Sequence, residues 1–253
     1  MTRITRYAWT GVVSSAAATL VLLSVAIAPL AWADTAQDAR QLVEKARLTF
    51  ESFQADSNMG PSLHTLLRKA KGVMIYPQVL RGAFLVGAAG GNGVFLVRAK
   101  EPDVWTGPAF YTLGQASFGF QAGGDAAETV VVALTDRGVQ ALLHTSGKLG
   151  ANASVAVGPV GVGAEAATAN LSVDLVSYTR NKGLYAGVSL EGAIVGARDE
   201  WNRSYYGKAV APADILIERE VSNPHSAELI AAVARAAGAG GSASLQGSAA
   251  KAQ

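Results

Sequence analysis

The chain contains no cysteine. That absence excludes a disulfide framework, a Cys-ligated metal site, a thiol nucleophile and the acylated cysteine of a lipoprotein. Histidine is nearly absent as well. His64, His144 and His225 stand alone, with no H-E-x-x-H or other paired spacing, so the sequence offers no metal-binding set and implies no cofactor. Charged residues make up only 16%, with 21 Lys+Arg against 19 Asp+Glu. Arg3 and Arg6 belong to the leader described next, and without them the count is 19 against 19. No basic excess remains to recommend a nucleic-acid partner.

Residues 1–33 read as a secretory signal peptide. Arg3 and Arg6 form its positive end and Val12 to Ala28 its apolar run. Ala31-Trp32-Ala33 is a small-x-small cleavage site just after Pro29. The run approaches spanning length, so an uncleaved anchor is the alternative. Cleavage would start the mature chain at Asp34 and implies an exported protein, most simply a periplasmic one peripheral to a membrane. The remaining stretch, about 220 residues, suits one domain with a sizeable core. The 28 glycines are about 11% of the chain, above the usual ~7%, and sit in short runs of Val, Ala and Leu, which favours a turn-rich β protein.

Asp34 to Gln54 reads as an amphipathic helix. Ala39, Leu42, Val43, Ala46, Phe50 and Phe53 share one face; Arg40, Glu44, Arg47 and Glu51 share the other. A second short helix follows through Ala70, with Ser62 as its cap. The spacing predicts a strand at Val73–Tyr76 stopped by Pro77, and a hairpin of Gly82–Ala89 and Val94–Val97 turning at Gly90-Gly91-Asn92-Gly93. Further strands are predicted over 116–121, 128–134, 153–157, 172–179 and 184–191. Short helices are predicted from Asp136 (capped by Thr135), over 198–206 and over 212–217. A terminal helix over 224–237 is capped by Asn223 or Ser222. Residues 238–253 are rich in Gly, Ala and Ser and read as a disordered tail. The fold class is therefore α+β: an antiparallel β-sheet core of short strands, with amphipathic helices at the N- and C-terminal ends, in one domain over 34–237.

The stretch from Ser177 to Gly192, S-Y-T-R-N-K-G-L-Y-A-G-V-S-L-E-G, reads as two strands around an Asn181-Lys182-Gly183 turn. Its pattern resembles the SYLF domain family. Other fragments fall in that family's order: Lys69 through Pro77, Gly90 through Val94, Ser117 through Gly124 with Val130 to Leu134, Gly158-Pro-Val-Gly161, and Trp201 through Gly207 before Asp214-Ile-Leu. The resemblance covers roughly residues 65 to 218. It implies a non-enzymatic lipid-binding module. Some eukaryotic members also bind actin, which is not expected of an exported bacterial protein. For such a protein the anions at hand would be phosphatidylglycerol, cardiolipin or lipid A.

Two surfaces are candidates for lipid. The helix 34–54 carries Arg40, Lys45 and Arg47 against Asp34, Asp38, Glu44 and Glu51, unlike a polybasic membrane helix, and a helix packed on the sheet with a solvated mixed-charge face is the plainer reading. The second is the stretch Ser57 to Lys100, which has no Asp or Glu. Arg68, Lys69, Lys71 and Arg81 are close enough in sequence to converge around Pro77 as an anion-binding patch. Each such residue near an anionic bilayer contributes roughly 1 kcal/mol. Solvated rim charges offset by acids elsewhere are the plainer reading. Trp105, Phe110, Tyr111, Trp201, Tyr205 and Tyr206 suit a membrane interface or the core. The alternative function is a structural or protein-interaction role in the cell envelope, with lipid affinity incidental and protein partners unspecified.

No catalytic set emerges. Gly187-Val-Ser-Leu-Glu-Gly192 spaces its last glycine one residue late for a nucleophile elbow, and Ser189 is predicted inside a strand. Gly161-Val-Gly-Ala-Glu-Ala166 fits a dinucleotide fingerprint but lacks the following helix pattern and acid. Asp125, Glu128 and Asp136 can be imagined as paired carboxylates, but Asp136 reads better as a first-turn helix residue. Asn152, Asn170 and Asn202 begin glycosylation sequons, relevant only in a eukaryotic secretory context.

Overall fold

A computed structural model describes residues 16–238, except 84–85, 102–103, 119–122, 144–145, 152, 160–171, 182–183 and 186–191, with side chains from Thr35 onward except at 83, 86, 117–118, 123, 146–147 and 184–185. The tail reading therefore lies outside the described residues, as does most of the second strand predicted over 184–191. Helix α1 spans Ala16–Ala55 and contains the predicted amphipathic segment. Its six predicted apolar positions are all buried, none more than 9% exposed. On the opposite side Arg47 bonds Glu51 at 2.9 Å and reaches Glu44 at 3.5 Å. The helix is thus packed on the domain, as its mixed-charge outer face suggests.

Helix α2, Gly60–Lys69, starts one turn earlier than a Ser62 cap would allow. Asp56 performs the turn instead, its Oδ1 accepting from the N–H groups of Asn58 (2.9 Å) and Met59 (3.1 Å). Pro61 follows near the start, where its missing N–H loses nothing. Ser62 is fully buried inside the helix.

The sheet is built from β1 (Gly72–Ala83), β2 (Val86–Arg98), β3 (Trp105–Phe118), β4 (Gly123–Ala133), β5 (Ser146–Lys148), β6 (Val155–Val157), β7 (Leu175–Asn181), β8 (Leu184–Tyr185) and β9 (Ile194–Ala197). The order is β5-β9-β3-β2-β1-β4-β7-β6, with β8 added to β7. Every pairing is antiparallel except β6 with β7, which run parallel. Between the strands, α3 (Asp136–Leu143) begins at a Thr135 cap whose Oγ1 accepts from the Gly138 N–H at 3.0 Å. The chain closes with α4 (Asp199–Tyr206), α5 (Pro212–Leu216), a 3-10 turn over 224–226 capped by Asn223, and α6 (Ala227–Ala236).

Three strand readings are corrected. Pro77 does not stop β1. The register shifts between Ile75 and Gln78 on one edge and between Tyr76 and Val79 on the other, so a bulge absorbs the missing N–H. Nor do Gly90 to Gly93 turn the chain, because β2 runs straight through them. A Cβ at Gly91 would lie 2.2 Å from the Gln78 carbonyl oxygen, and one at Gly93 would lie 2.4 Å from the Tyr76 ring. These glycines serve close approach at the bulge, not reversal. No strand is predicted between Val97 and Ala116, yet β3 begins at Trp105, its register shifting beside Gly107-Pro108.

The sheet carries a core on each face. Ile75, Val94, Phe110, Val130 and Tyr178 pack beneath α1, α2 and α6. Met74, Tyr76, Phe95, Tyr111 and Val131 pack with α3 and α5 on the other side. Trp105, Phe110, Tyr111 and Tyr205 are buried, and Trp201 and Tyr206 half-buried against the clusters, so these aromatics are core. Among the described residues, no helix is long and apolar enough to cross a membrane.

Candidate functional site

The four basic residues of the acid-free stretch do not form one patch. Arg68 and Lys69 end α2, and Lys71 follows immediately, so these three share one end of the sheet. Arg81 sits near the far end of β1, about 30 Å away at ~3.3 Å per residue. The strand that runs through Pro77 separates them, where a turn would have folded them together. Acids from other segments also meet them. Lys71 Nζ donates to Asp136 Oδ2 at 2.6 Å. Arg81 stands opposite Asp125 in the β1–β4 register. Lys69 lines a cleft with Arg137, Ser154 and Asp174.

Asp174 is the electrostatic centre of that end, with its side chain only 6% exposed. It accepts from Arg137 Nη2 (2.5 Å), Thr135 Oγ1 (2.6 Å), and the Ser154 N–H and hydroxyl (both 2.8 Å). The Arg137 guanidinium above all, with Thr135 and Ser154, holds its carboxyl well below the usual carboxylate range, although burial opposes this. With its oxygens satisfied by protein donors, Asp174 ties β7 to α3 and to Ser154.

The motif strand β7 fastens the helix layer. Tyr178 is fully buried on the α1 face and bonds Ser62 of α2 at 3.0 Å. Two residues on, Arg180 donates to Glu128 Oε2 (2.5 Å) and Ser52 Oγ (2.8 Å), with its guanidinium 4.8 Å from the centre of the Phe53 ring. Asn181 pairs with Leu184, so the hairpin connection is Lys182-Gly183, which lies outside the described residues. The motif residues that are described are structural clamps.

A groove follows the line where α1 crosses the strands at the Pro77 bulge. It has two adjoining stretches of about 480 and 650 Å³ that share Lys45, Pro77 and Gln78. Gln41, Lys45, Leu48 and Ser52 of α1 form its wall. Leu80, Gly90, Gly91, Ala126 and Ala127 supply a floor of small and apolar groups. Leu48 is 56% exposed and Leu80 58% exposed, facing this open space. Sequence reasoning missed these residues. The available signal was Leu48, an aliphatic residue off the apolar face of an otherwise regular amphipathic helix.

The motifs that resemble catalytic sites acquire no geometry. Ser189 and the Gly161–Ala166 stretch lie outside the described residues, as do His144, Asn152 and Asn170. Asp125 bonds Asn181, Glu128 bonds Arg180 and Asp136 bonds Lys71, so the three carboxylates are committed separately. Asn202 is fully buried, its Oδ1 accepting from the Phe110 N–H at 2.9 Å. No group of three or more His, Asp or Glu placed to hold a metal occurs among the described residues.

Against known proteins, residues 114–248 match the family model Ysc84, described as "Las17-binding protein actin regulator". The chain is 34% identical over 189 residues to SH3 domain-containing YSC84-like protein 1 of Bos taurus, covering 72% of this chain and 54% of that protein. It is 34% identical over 177 residues to the Homo sapiens protein of that name, covering 68% and 51%. LAS seventeen-binding protein 3 of Saccharomyces cerevisiae is 34% identical over 171 residues, covering 66% and 36%. The chain spans about half the length, or less, of these curated relatives.

Proposed function

This chain belongs to the Ysc84 (SYLF) family, and from that premise we propose that it is a non-enzymatic protein that binds membrane lipid, with the groove between α1 and the sheet as its lipid site. The observation that carries the reading is the groove itself: exposed Leu48 and Leu80 over a small-residue floor, with Lys45 exposed at the rim. Asp38, Glu128 and Arg180 also line the groove, Glu128 and Arg180 paired with each other, which leaves the Lys45 ammonium beside an aliphatic floor to meet the phosphate of an anionic phospholipid whose acyl chain sits below it. Arg68 and Lys69 extend the proposal to a second, weaker contact, since both are exposed at the α2 end. Export by the 1–33 leader belongs to the same reading and makes phosphatidylglycerol, cardiolipin or lipid A the anionic lipids to test.

Liposome flotation with neutral and anionic vesicles at low and high salt tests this. The expected result is flotation with anionic vesicles, partly released by salt and weakened by Leu48→Glu or Lys45→Glu. No flotation with any lipid would overturn it. The family description, which names a protein partner, favours a second reading: a protein-interaction module with incidental lipid affinity. That reading expects a specific protein captured in a pull-down by a chain that does not float.

A further inference from the structure

The sheet is longer than the helix layer that covers it. Past the groove, β1 to β4 continue beyond α1, and the register defines which residues share the α1 side of that overhang. Ile194 pairs with Gly114, Gly114 with Gly90, Gly90 with Leu80, and Leu80 with Ala126. Directly opposed residues share a face, so these five form one row across five strands. Ile194 is 56% exposed and Leu80 58% exposed. A Cβ at Gly114, or at Gly82 in the next row, would meet no atom within 4 Å. This face is bare.

It is also uncharged. No Asp, Glu, Lys or Arg occurs from Gly82 to Val97 or from Val104 to Gly124. The adjoining charges, Arg81 and Asp125, stand opposite each other in register, and strand alternation puts both on the other face from Leu80 and Ala126. A solvated antiparallel face normally carries polar side chains outward; this one presents glycine, alanine, leucine and isoleucine. A plane with so few side chains offers little to interdigitate with a protein partner, whereas fluid acyl chains conform to it. The charged rim completes the match. Lys45 and Asp38, both exposed on α1, stand at the step between helix and overhang, and the Lys45 ammonium is the group that would meet an anionic headgroup above chains resting on the sheet.

We infer that this overhanging sheet face is the membrane-contacting surface, entering an anionic bilayer with Leu80 and Ile194 among the acyl chains and Lys45 at headgroup level. The inference rests on the lipid-binding reading and deepens it. It places the contact about 30 Å from Arg68 and Lys69, well beyond the ~8 Å screening length at physiological salt.

Because the chain has no cysteine, a single introduced thiol is a unique label. Leu80→Cys, Ile194→Cys and Arg68→Cys, each carrying an environment-sensitive fluorophore, are mixed with phosphatidylcholine–phosphatidylglycerol vesicles containing nitroxide-labelled acyl chains. Blue-shifted, quenched emission at 80 and 194, and markedly less of both at 68, where only a weaker headgroup contact is proposed, is the expected result. Independently, Leu80→Glu with Ile194→Glu is expected to weaken vesicle partitioning at least about tenfold. Its unfolding midpoint should stay unchanged, since both positions are exposed. Undiminished flotation of that double variant, or quenching at 68 alone, would overturn the surface while sparing lipid binding. Failure of the unmodified chain to float would overturn both.

Discussion

Tyr178 donates its phenolic proton to Ser62 Oγ at 3.0 Å, a buried bond between residues 116 positions apart. It joins the motif strand to the helix that precedes the sheet. Ser62 Oγ also lies 3.0 Å from the Met59 carbonyl and 2.8 Å from the Pro159 carbonyl, so one hydroxyl links three segments. Gly158 leaves room for the ring, since a Cβ there would fall 2.3 Å from Tyr178 Cζ. Tyr178→Phe is expected to lower stability by about 1 kcal/mol through loss of the bond. Gly158→Ala is expected to lower it by about 1–3 kcal/mol through overpacking. Urea unfolding of both variants checks the order.

Glycines on the two faces of the sheet should behave in opposite ways. At Gly93, a Cβ would meet the Tyr76 ring at 2.4 Å and the Ile75 carbonyl oxygen at 2.6 Å, and backbone cannot give way. Gly93→Ala is therefore expected to destabilise by at least about 1–3 kcal/mol. Gly114→Ala adds a methyl to open space and restricts the unfolded chain, so it is expected to be neutral or stabilising by up to about 1 kcal/mol. Thermal melts of the pair separate close approach from chain flexibility as the role of these residues.

Asp174 sets an acid limit. Its folded-state carboxyl titrates below the unfolded value because Arg137, Thr135 and Ser154 favour the anion. A depressed acid contributes stability that is complete above the unfolded pKa, about 4, and is lost as pH falls from there through the lower folded value. Unfolding measured from pH 7 downward should show stability falling below about pH 4. Asp174→Asn should be less stable at neutral pH and flatter in that window.

Tyr205 sets an alkaline one. Burial pushes its phenol up to about 12, and burial likewise raises Tyr76, Tyr111 and Tyr206. The folded state retains protons that the unfolded state releases near pH 10, so stability is full below that value and declines as pH rises towards 12. Phenolate absorbance should show these tyrosines ionising only with unfolding. Tyr205→Phe should shift the alkaline midpoint upward.

Local signals were legible wherever a short-range pattern decides the structure. The six apolar positions of α1, the Thr135 cap and the Asn223 cap are all found as the spacing predicts. The strand boundaries around Pro77 and Gly90–Gly93 were not legible. Proline and glycine carry the same letters whether they turn a chain or accommodate a bulge, and only the neighbouring strand distinguishes the two. The separation of the basic residues was not legible for a related reason. Sequence proximity of Lys71 and Arg81 implies spatial proximity only if the intervening chain turns, and an extended strand separates the pair instead. Leu80 and Ile194 could not be joined in advance, since 114 positions of sequence and two intervening strands of the sheet lie between them.

By itself the sequence determined the family, the α+β class, the burial face of α1 and the absence of thiol chemistry, because composition and periodicity act over a few residues. Tertiary structure alone decided that the basic residues part company, that Tyr178 and Arg180 clamp the helix layer, and that an uncharged row lies bare beyond α1. Those outcomes depend on register and on where one layer ends above another. They are properties of strand pairing between distant segments, which no local pattern encodes.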